Sequence, residues 1–358
     1  MAGRGPVTST SSVDIAVAAF CVDPAAMLSA TTHPSQRRLD FAAAAPRSGG
    51  WLKREEAIMG TAITVELWCD DRRQGEAAAA AVMDEMHRID RAMSPHKPGS
   101  ELSRINREAE HHAVPLSDEL WHLVGRSIEF SRLSGGAFDI SYAAVGQHYD
   151  YREGLRPDAA TLARARTAVG WQHLRLDERA RSLRFARPGM RIDLGGFAKG
   201  HAVDRAAALL QRRGIRHAIV SAGGDSRILG DRRGRPWSLA IRDPRRPDGV
   251  AAVLPLEDVS VSTSGDYERC FVTAEGERVH HLIDPATGRS PAHVRSVTIL
   301  APDGLTSEAL SKTVFVLGAA RGLALVETLA GIDAVVIDAE GHLHASSGLL
   351  QGSPARPQ

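Results

Sequence analysis

The 358-residue chain has only three cysteines, Cys21, Cys69 and Cys270. They are far apart and odd in number, which excludes a disulfide framework and a cysteine metal motif; this suits a reducing compartment without requiring one. An excess of either charge is also missing. Lys and Arg number 44 against 43 Asp and Glu, a formal net charge of +1, so nothing points to nucleic acid or an anionic membrane as partner. No run reads as long and apolar enough to span a bilayer. Common nucleotide and hydrolase signatures are absent too. Gly195-Gly196-Phe197-Ala198-Lys199-Gly200 carries a lysine at the wrong spacing for a P-loop, and no G-x-G-x-x-G opens a helix after a strand. There is no H-E-x-x-H and no G-x-S-x-G elbow. The pairs His111-His112 and His280-His281 lack partners at metal spacing and read as surface or core histidines.

With 43% hydrophobic and 24% charged residues, the composition is that of an ordinary globular protein, long enough for one large domain or two lobes. Residues 1–50 differ: small and polar side chains dominate, and the best apolar run, Ile15 to Cys21, is flanked by Asp14 and Asp23. This stretch reads as a disordered tail or over-extended start, with a degenerate export signal as the alternative. The lack of a clear signal favours a cytoplasmic location. Residues 51–345 read as the globular unit and 346–358 as a second tail.

The chain is organised around Arg191–Asp204. A β-type run ends at Asp193, turns on Gly195-Gly196 and opens a helix whose stripe is Ala198, Ala202, Ala206, Leu209 and Leu210, with Gly214 after its end. Glycines after a strand let backbone approach a ligand, and a helix N-terminus favours negative charge, so the turn suits an anion. Lys199 stands where the macrodipole disfavours a cation, which argues for an anionic partner; a snorkelling surface lysine is the other reading.

Elsewhere, alternation after Gly60 puts Ile63, Val65 and Leu67 on one strand face, and a helix over Glu76–Met93 carries Ala79, Val82, Met86 and Ile89. Further helices are expected near Leu102–Asn106, Leu116–Leu133, Pro157–Val169, Ser307–Leu317 and Arg321–Leu329. Hairpins are expected between Leu174 and Asp193 and around Phe271–Ile283, with strands at His217–Ser221, Trp237–Arg242, Ala251–Leu256, Ser260–Thr263, Val294–Leu300 and Ala334–Ile337. Interleaved helices with several hairpins give an α+β class with mixed sheets.

Gly/Asp/Ser loops recur at strand ends. Together "IDLGGFAKGHAVD", "SAGGD", "STSGDYER" and "HLIDPATG", over about Met59 to Leu317, resemble the ApbE-like FAD:protein FMN transferases. The resemblance implies a T-fold-like architecture with two lobes around a flavin cleft. It also implies cleavage of FAD with magnesium and attachment of FMN, through a phosphoester, to a Thr or Ser of an acceptor flavoprotein. A periplasmic-side location is a further implication. Breaking a phosphoanhydride needs charge stabilisation and a base for the hydroxyl.

By resemblance, Met59 touches the flavin, although it also reads as a core methionine. His96 stands where the family carries a stacking Tyr. Ala137, Phe138 and Asp139 imply flavin contact, Asp139 reading equally as a turn or cap residue, and Asp193, Lys199, Leu282 and Ile283 imply FAD contacts. His281 is the candidate for activating the acceptor hydroxyl or placing the diphosphate, against a structural histidine. Asp284 and Thr287 most simply hold a turn; Tyr267 and Arg269 position substrate or pair with neighbours.

The implied metal set is Gly196, through its carbonyl, with Glu308 and Ser311. Here the sequence departs from the family: Lys312 occupies the position of a metal-binding Thr, and a protonated lysine cannot ligate. Glu308 and Lys312, four apart on a helix, form an ordinary ion pair of about 0.3–0.5 kcal/mol, or Lys312 replaces part of the metal's charge. FAD binding without transfer, and FAD hydrolysis to FMN and AMP, are the alternative functions.

Overall fold

The computed structural model describes residues 49–246 and 248–350. The N-terminal tail expectation therefore falls almost entirely outside the described residues. β1 (Gly50–Ile58) and β2 (Thr61–Cys69) pair antiparallel without a slip, leaving only Met59-Gly60 as the loop. Both loop residues have positive φ, 56° and 70°, the signature of a type I′ hairpin turn whose twist matches its strands. Ile63, Val65 and Leu67 are fully buried, as the alternation predicts.

α1 (Arg72–Met93) starts one turn before its expected position because the Asp71 side chain caps Gln74 N–H. Its stripe of Ala79, Val82, Met86 and Ile89 is fully buried. α2 (Glu101–Glu108) follows, then β3 (Val114–Pro115) and α3 (Asp118–Leu133), the last capped by Ser117 and stopped by Gly135 and Gly136 at φ 62° and 90°. α4 (Ala143–Gly146) and α5 (Ala159–Arg166) lead to the hairpin β4 (Leu174–Asp177) and β5 (Ser182–Phe185), which joins β3 in a three-stranded sheet.

Next come α6 (Ala198–Arg212), β6 (Ala218–Ala222) and β7 (Asp225–Leu229). The hairpins β8 (Trp237–Arg242) with β9 (Val250–Leu256), and β11 (Cys270–Val272) with β12 (Arg278–His280), flank β10 (Ser260–Gly265). β13 (Val294–Ala301), α7 (Gly304–Val326), β14 (Asp333–Asp338), β15 (Leu343–Ala345) and α8 (Ser347–Leu350) complete the described chain.

The class is α+β. The main sheet runs β1-β2-β6-β7-β10-β13-β14-β15, and every strand pairing among the described residues is antiparallel. α1, α6 and α7 pack on it around the main core, while a second apolar cluster places Trp237 and Leu256 of the β8–β9 hairpin against Ile228, Val261 and Leu300.

Three expectations change. α7 is long and apolar enough to cross a membrane, although no run was expected to be; half of its most apolar window is buried, and it packs on β10, β13 and α6. Where two helices were expected, Gly318 breaks this one at φ 84°, ψ 169°. The C-terminal tail cannot begin at Ser346, whose buried hydroxyl bonds Asp333 and the Ala334 N–H before α8; residues 351–358 lie outside the described part.

Candidate active site

The site is built where the central turn meets α7. Asn106 clamps Ile192 with two backbone hydrogen bonds of 2.8 and 2.9 Å. Asp193 N–H donates to Ile140 O (3.0 Å), and its Oδ1 accepts from Gly195 N–H (2.7 Å), bending the chain into α6. α6 begins without a side-chain cap of its own, since Phe197 holds the cap position.

The anion expected at that helix start comes from within the chain. Glu308 of α7, fully buried, accepts from Gly200 N–H through Oε2 (2.7 Å) and from Lys199 Nζ through Oε1 (2.5 Å). It can reach because α6 and α7 cross at two glycines: a Cβ on Gly200 would lie 2.1 Å from Gly304 O. Asp204 fastens the crossing by accepting from Gly304 and Leu305 N–H at 2.7 and 3.0 Å. Burial pushes the Asp204 carboxyl up to about 6.

Lys199 is no snorkelling surface lysine. Its Nζ also lies 2.9 Å from Asp225 Oδ2 and 3.3 Å from Gly195 O. Burial pulls its pKa down, but Asp225 and Glu308 outweigh burial and hold it above the ordinary lysine value. Burial pushes Asp225 the other way, and Lys199 with Lys312 brings it below the usual carboxylate range.

Asp225 is the group that sequence reasoning missed. Only 2% exposed at the start of β7, it accepts from Ser262 Oγ (2.5 Å), its register partner on β10. Ser262, Ser264 and Ser311 join through their hydroxyls at 3.1 and 2.8 Å, and Ser311 Oγ donates back to Glu308 O. Lys312 Nζ stands 3.4 Å from both Glu308 Oε1 and Ser311 Oγ, its methylenes passing over Gly196. The structure thus brings Gly196, Lys199, Glu308, Ser311 and Lys312 together and adds Asp225, with two ammonium groups balancing two carboxylates.

His281 is near enough to Lys312 and Lys199 to feel their charges. Burial, then the charges of Arg269 and Lys312, push its pKa down to about 3, and its Nδ1 has no hydrogen-bond partner. It is neutral, with one buried ring nitrogen unpartnered. The Met59-Gly60 turn reaches the same region, a Cβ on Gly60 lying 3.5 Å from Arg269 Nη2.

Other expected residues serve packing or turn geometry. Phe138 is buried in an aromatic trio with Phe130 and Phe197, centroids 5.5–6.1 Å apart. Asp139 accepts from Ser141 N–H and Oγ and from Trp171 N–H, so both its oxygens are engaged, and burial pushes its pKa up. That turn carries Ile140 O, the acceptor that holds Asp193. Ala137 is half-buried beside it, and Leu282 and Ile283 are buried. Asp284 accepts from Ala286 N–H and Thr287 Oγ1 from Arg289 N–H, holding their turn as expected. His96 is exposed, its backbone N–H bonded to Ser94 Oγ. A separate carboxylate–histidine group, Asp338, Glu340 and His342, lies in the β14–β15 turn, and a surface hollow of about 490 Å³ lined by Arg175, Arg184 and Arg187 contains none of the clustered residues.

Known proteins match over this framework. The ApbE family profile matches residues 59–336. A FAD:protein FMN transferase of Treponema pallidum is 32% identical over 317 residues, covering 83% of this chain and 87% of the relative. One from Klebsiella pneumoniae is 32% identical, covering 73% and 77%. The crystal structure of an ApbE protein from Thermotoga maritima superposes with a TM-score of 0.77 at 30% identity, over 84% of this chain and 99% of that one. The flavin transferase ApbE of Vibrio cholerae superposes with a TM-score of 0.75 at 26% identity, over 85% and 100%. With a profile match running through every part of the clustered site, this chain belongs to the ApbE family.

Proposed function

We propose that this chain is a FAD:protein FMN transferase, cleaving the FAD diphosphate and joining FMN by a phosphoester to a Thr or Ser hydroxyl of an acceptor flavoprotein. The observation that carries the reading is a neutral histidine, its buried Nδ1 unpartnered, within range of the charges of Lys312 and Lys199. The acceptor oxygen bonds to the FMN phosphorus, the bridging P–O bond breaks, and AMP leaves with the electron pair. The neutral His281 imidazole takes the hydroxyl proton; the negative charge of the bound diphosphate raises its affinity for that proton. Met59 and Asp193 are assigned to the flavin part of FAD.

Magnesium, implied by the family, fits poorly with the residues present. Both oxygens of Glu308 and both of Asp225 already accept hydrogen bonds or ion pairs, and the Lys312 ammonium stands beside Ser311 and Glu308. Magnesium needs near-octahedral oxygen ligands at about 2.0–2.1 Å, which an ammonium cannot supply. No step is assigned to it.

The test is incubation with FAD and a flavoprotein peptide bearing the acceptor Thr. Fluorescent peptide with equimolar AMP is the expected result. AMP with free FMN and no labelled peptide identifies a FAD pyrophosphatase instead. FAD binding with neither product removes the enzyme reading.

A further inference from the structure

Lys199 and Lys312 lie in the same cluster but are held very differently. Lys199 has three close acceptors, Glu308 at 2.5 Å, Asp225 at 2.9 Å and Gly195 O at 3.3 Å, which match the three donors of an ammonium. It is fully engaged in joining α6, α7 and β7. Lys312 has only two contacts, each at 3.4 Å, near the limit of a hydrogen bond. Its side chain is 18% exposed while Glu308 beneath it is not exposed at all. Its charge is therefore fixed in place, but its donors are largely unclaimed.

Charge balance sharpens the contrast. Two carboxylates face two ammonium groups, so the buried cluster is formally neutral. A divalent cation entering it would leave an excess of two positive charges in a mostly buried place, or would have to expel Lys312. An anion approaching Lys312 need not expel it and meets donors that are largely unclaimed.

Resting on the transferase reading above, we propose that Lys312 is a built-in cation for the FAD diphosphate, so that this chain transfers FMN without a divalent metal. The Lys312 ammonium donates to the diphosphate oxygens and stabilises the charge that collects on the AMP phosphate as the bridging P–O bond breaks. The acceptor oxygen forms the new bond to the FMN phosphorus, and its proton leaves to His281. Lys199 stays a positioning residue, holding Glu308 and Asp225 beneath Lys312.

The test needs no variant to be decisive. Wild-type protein stripped with a chelator is assayed for peptide labelling from FAD, with and without added magnesium, and titrated with magnesium chloride by calorimetry in the presence of FAD. Equal labelling in both conditions and no magnesium binding support the proposal. Labelling only with magnesium, or magnesium binding, overturns it while leaving the transferase reading intact. No labelling in either condition overturns both. Lys312→Thr adds a second arm: metal-free labelling should fall about 100- to 1,000-fold, the usual effect of deleting one charge-stabilising donor. Magnesium should then bind and restore part of the rate. A Lys312→Thr protein that keeps wild-type metal-free labelling refutes the role of the ammonium.

Discussion

The α6–α7 crossing permits a prediction in which one substitution has opposite effects at two glycines. In Gly200→Ala the new Cβ would lie 2.1 Å from Gly304 O and 2.5 Å from its carbonyl carbon. Both obstacles are backbone, so no side chain can turn away and the helices must part by about 1 Å or more to reach ordinary contact. Parting them stretches the bonds from Gly200 N–H to Glu308 and from Gly304 and Leu305 N–H to Asp204. Overpacking costs about 1–3 kcal/mol, and a weakened hydrogen bond to a charged group about 1.5–3 kcal/mol, so the loss should be about 3–5 kcal/mol. Gly125 sits inside α3 with nothing within 4 Å of its Cβ position, and Gly125→Ala should gain about 0.5–1 kcal/mol from helix propensity alone. Urea unfolding midpoints with unchanged m-values would measure both. A Gly200→Ala protein within about 1 kcal/mol of wild type, or a Gly125→Ala protein equally destabilised, would refute the close-crossing argument.

Three further outcomes are expected. His281 has a folded pKa of about 3 against an ordinary 6.5, so the unfolded state takes up the proton first as pH falls, and stability present above pH 6.5 is lost toward pH 3. Within that window the loss is about 1.4 kcal/mol per pH unit, and His281→Asn should show a shallower fall in urea midpoint between pH 7.5 and 5; equal falls would dismiss this source. Asp225→Asn leaves Lys199 facing Glu308 alone and should lose about 3 kcal/mol, read from guanidinium midpoints, with no change meaning the pair contributes nothing. Met59→Asn places a residue suited to positive φ in the type I′ turn but removes a partly buried side chain packed on the core, so stability should change by less than about 1 kcal/mol. It should also weaken FAD binding measured by flavin fluorescence; a variant destabilised by more than that would contradict the turn assignment.

The sequence was legible wherever one face of an element repeats. The β2 alternation and the α1 stripe both follow from spacing within one element. β1 was hidden in large part because Lys53, Arg54, Glu55 and Glu56 interrupt its apolar pattern, as charges do on an edge strand that must avoid pairing with other chains. In the site, Lys199 at the start of α6 argued from sequence for an anionic partner, against a snorkelling surface lysine. It could not show that Glu308 is that partner, because that contact depends on the crossing of two helices far apart in the chain. Asp225 escaped for a similar reason: its partner Ser262 is set by strand register, and each residue alone looks like part of a turn.

The aromatic trio Phe130, Phe138 and Phe197 joins the end of α3, the turn that holds Asp193 and the start of α6 into one packed unit. Such a unit opens cooperatively or not at all. The segments outside this unit, the Met59-Gly60 turn and the loop bearing His281, should therefore show faster amide hydrogen exchange than the unit itself. The protein's amide exchange rates should then be sorted by side of the site rather than by secondary structure.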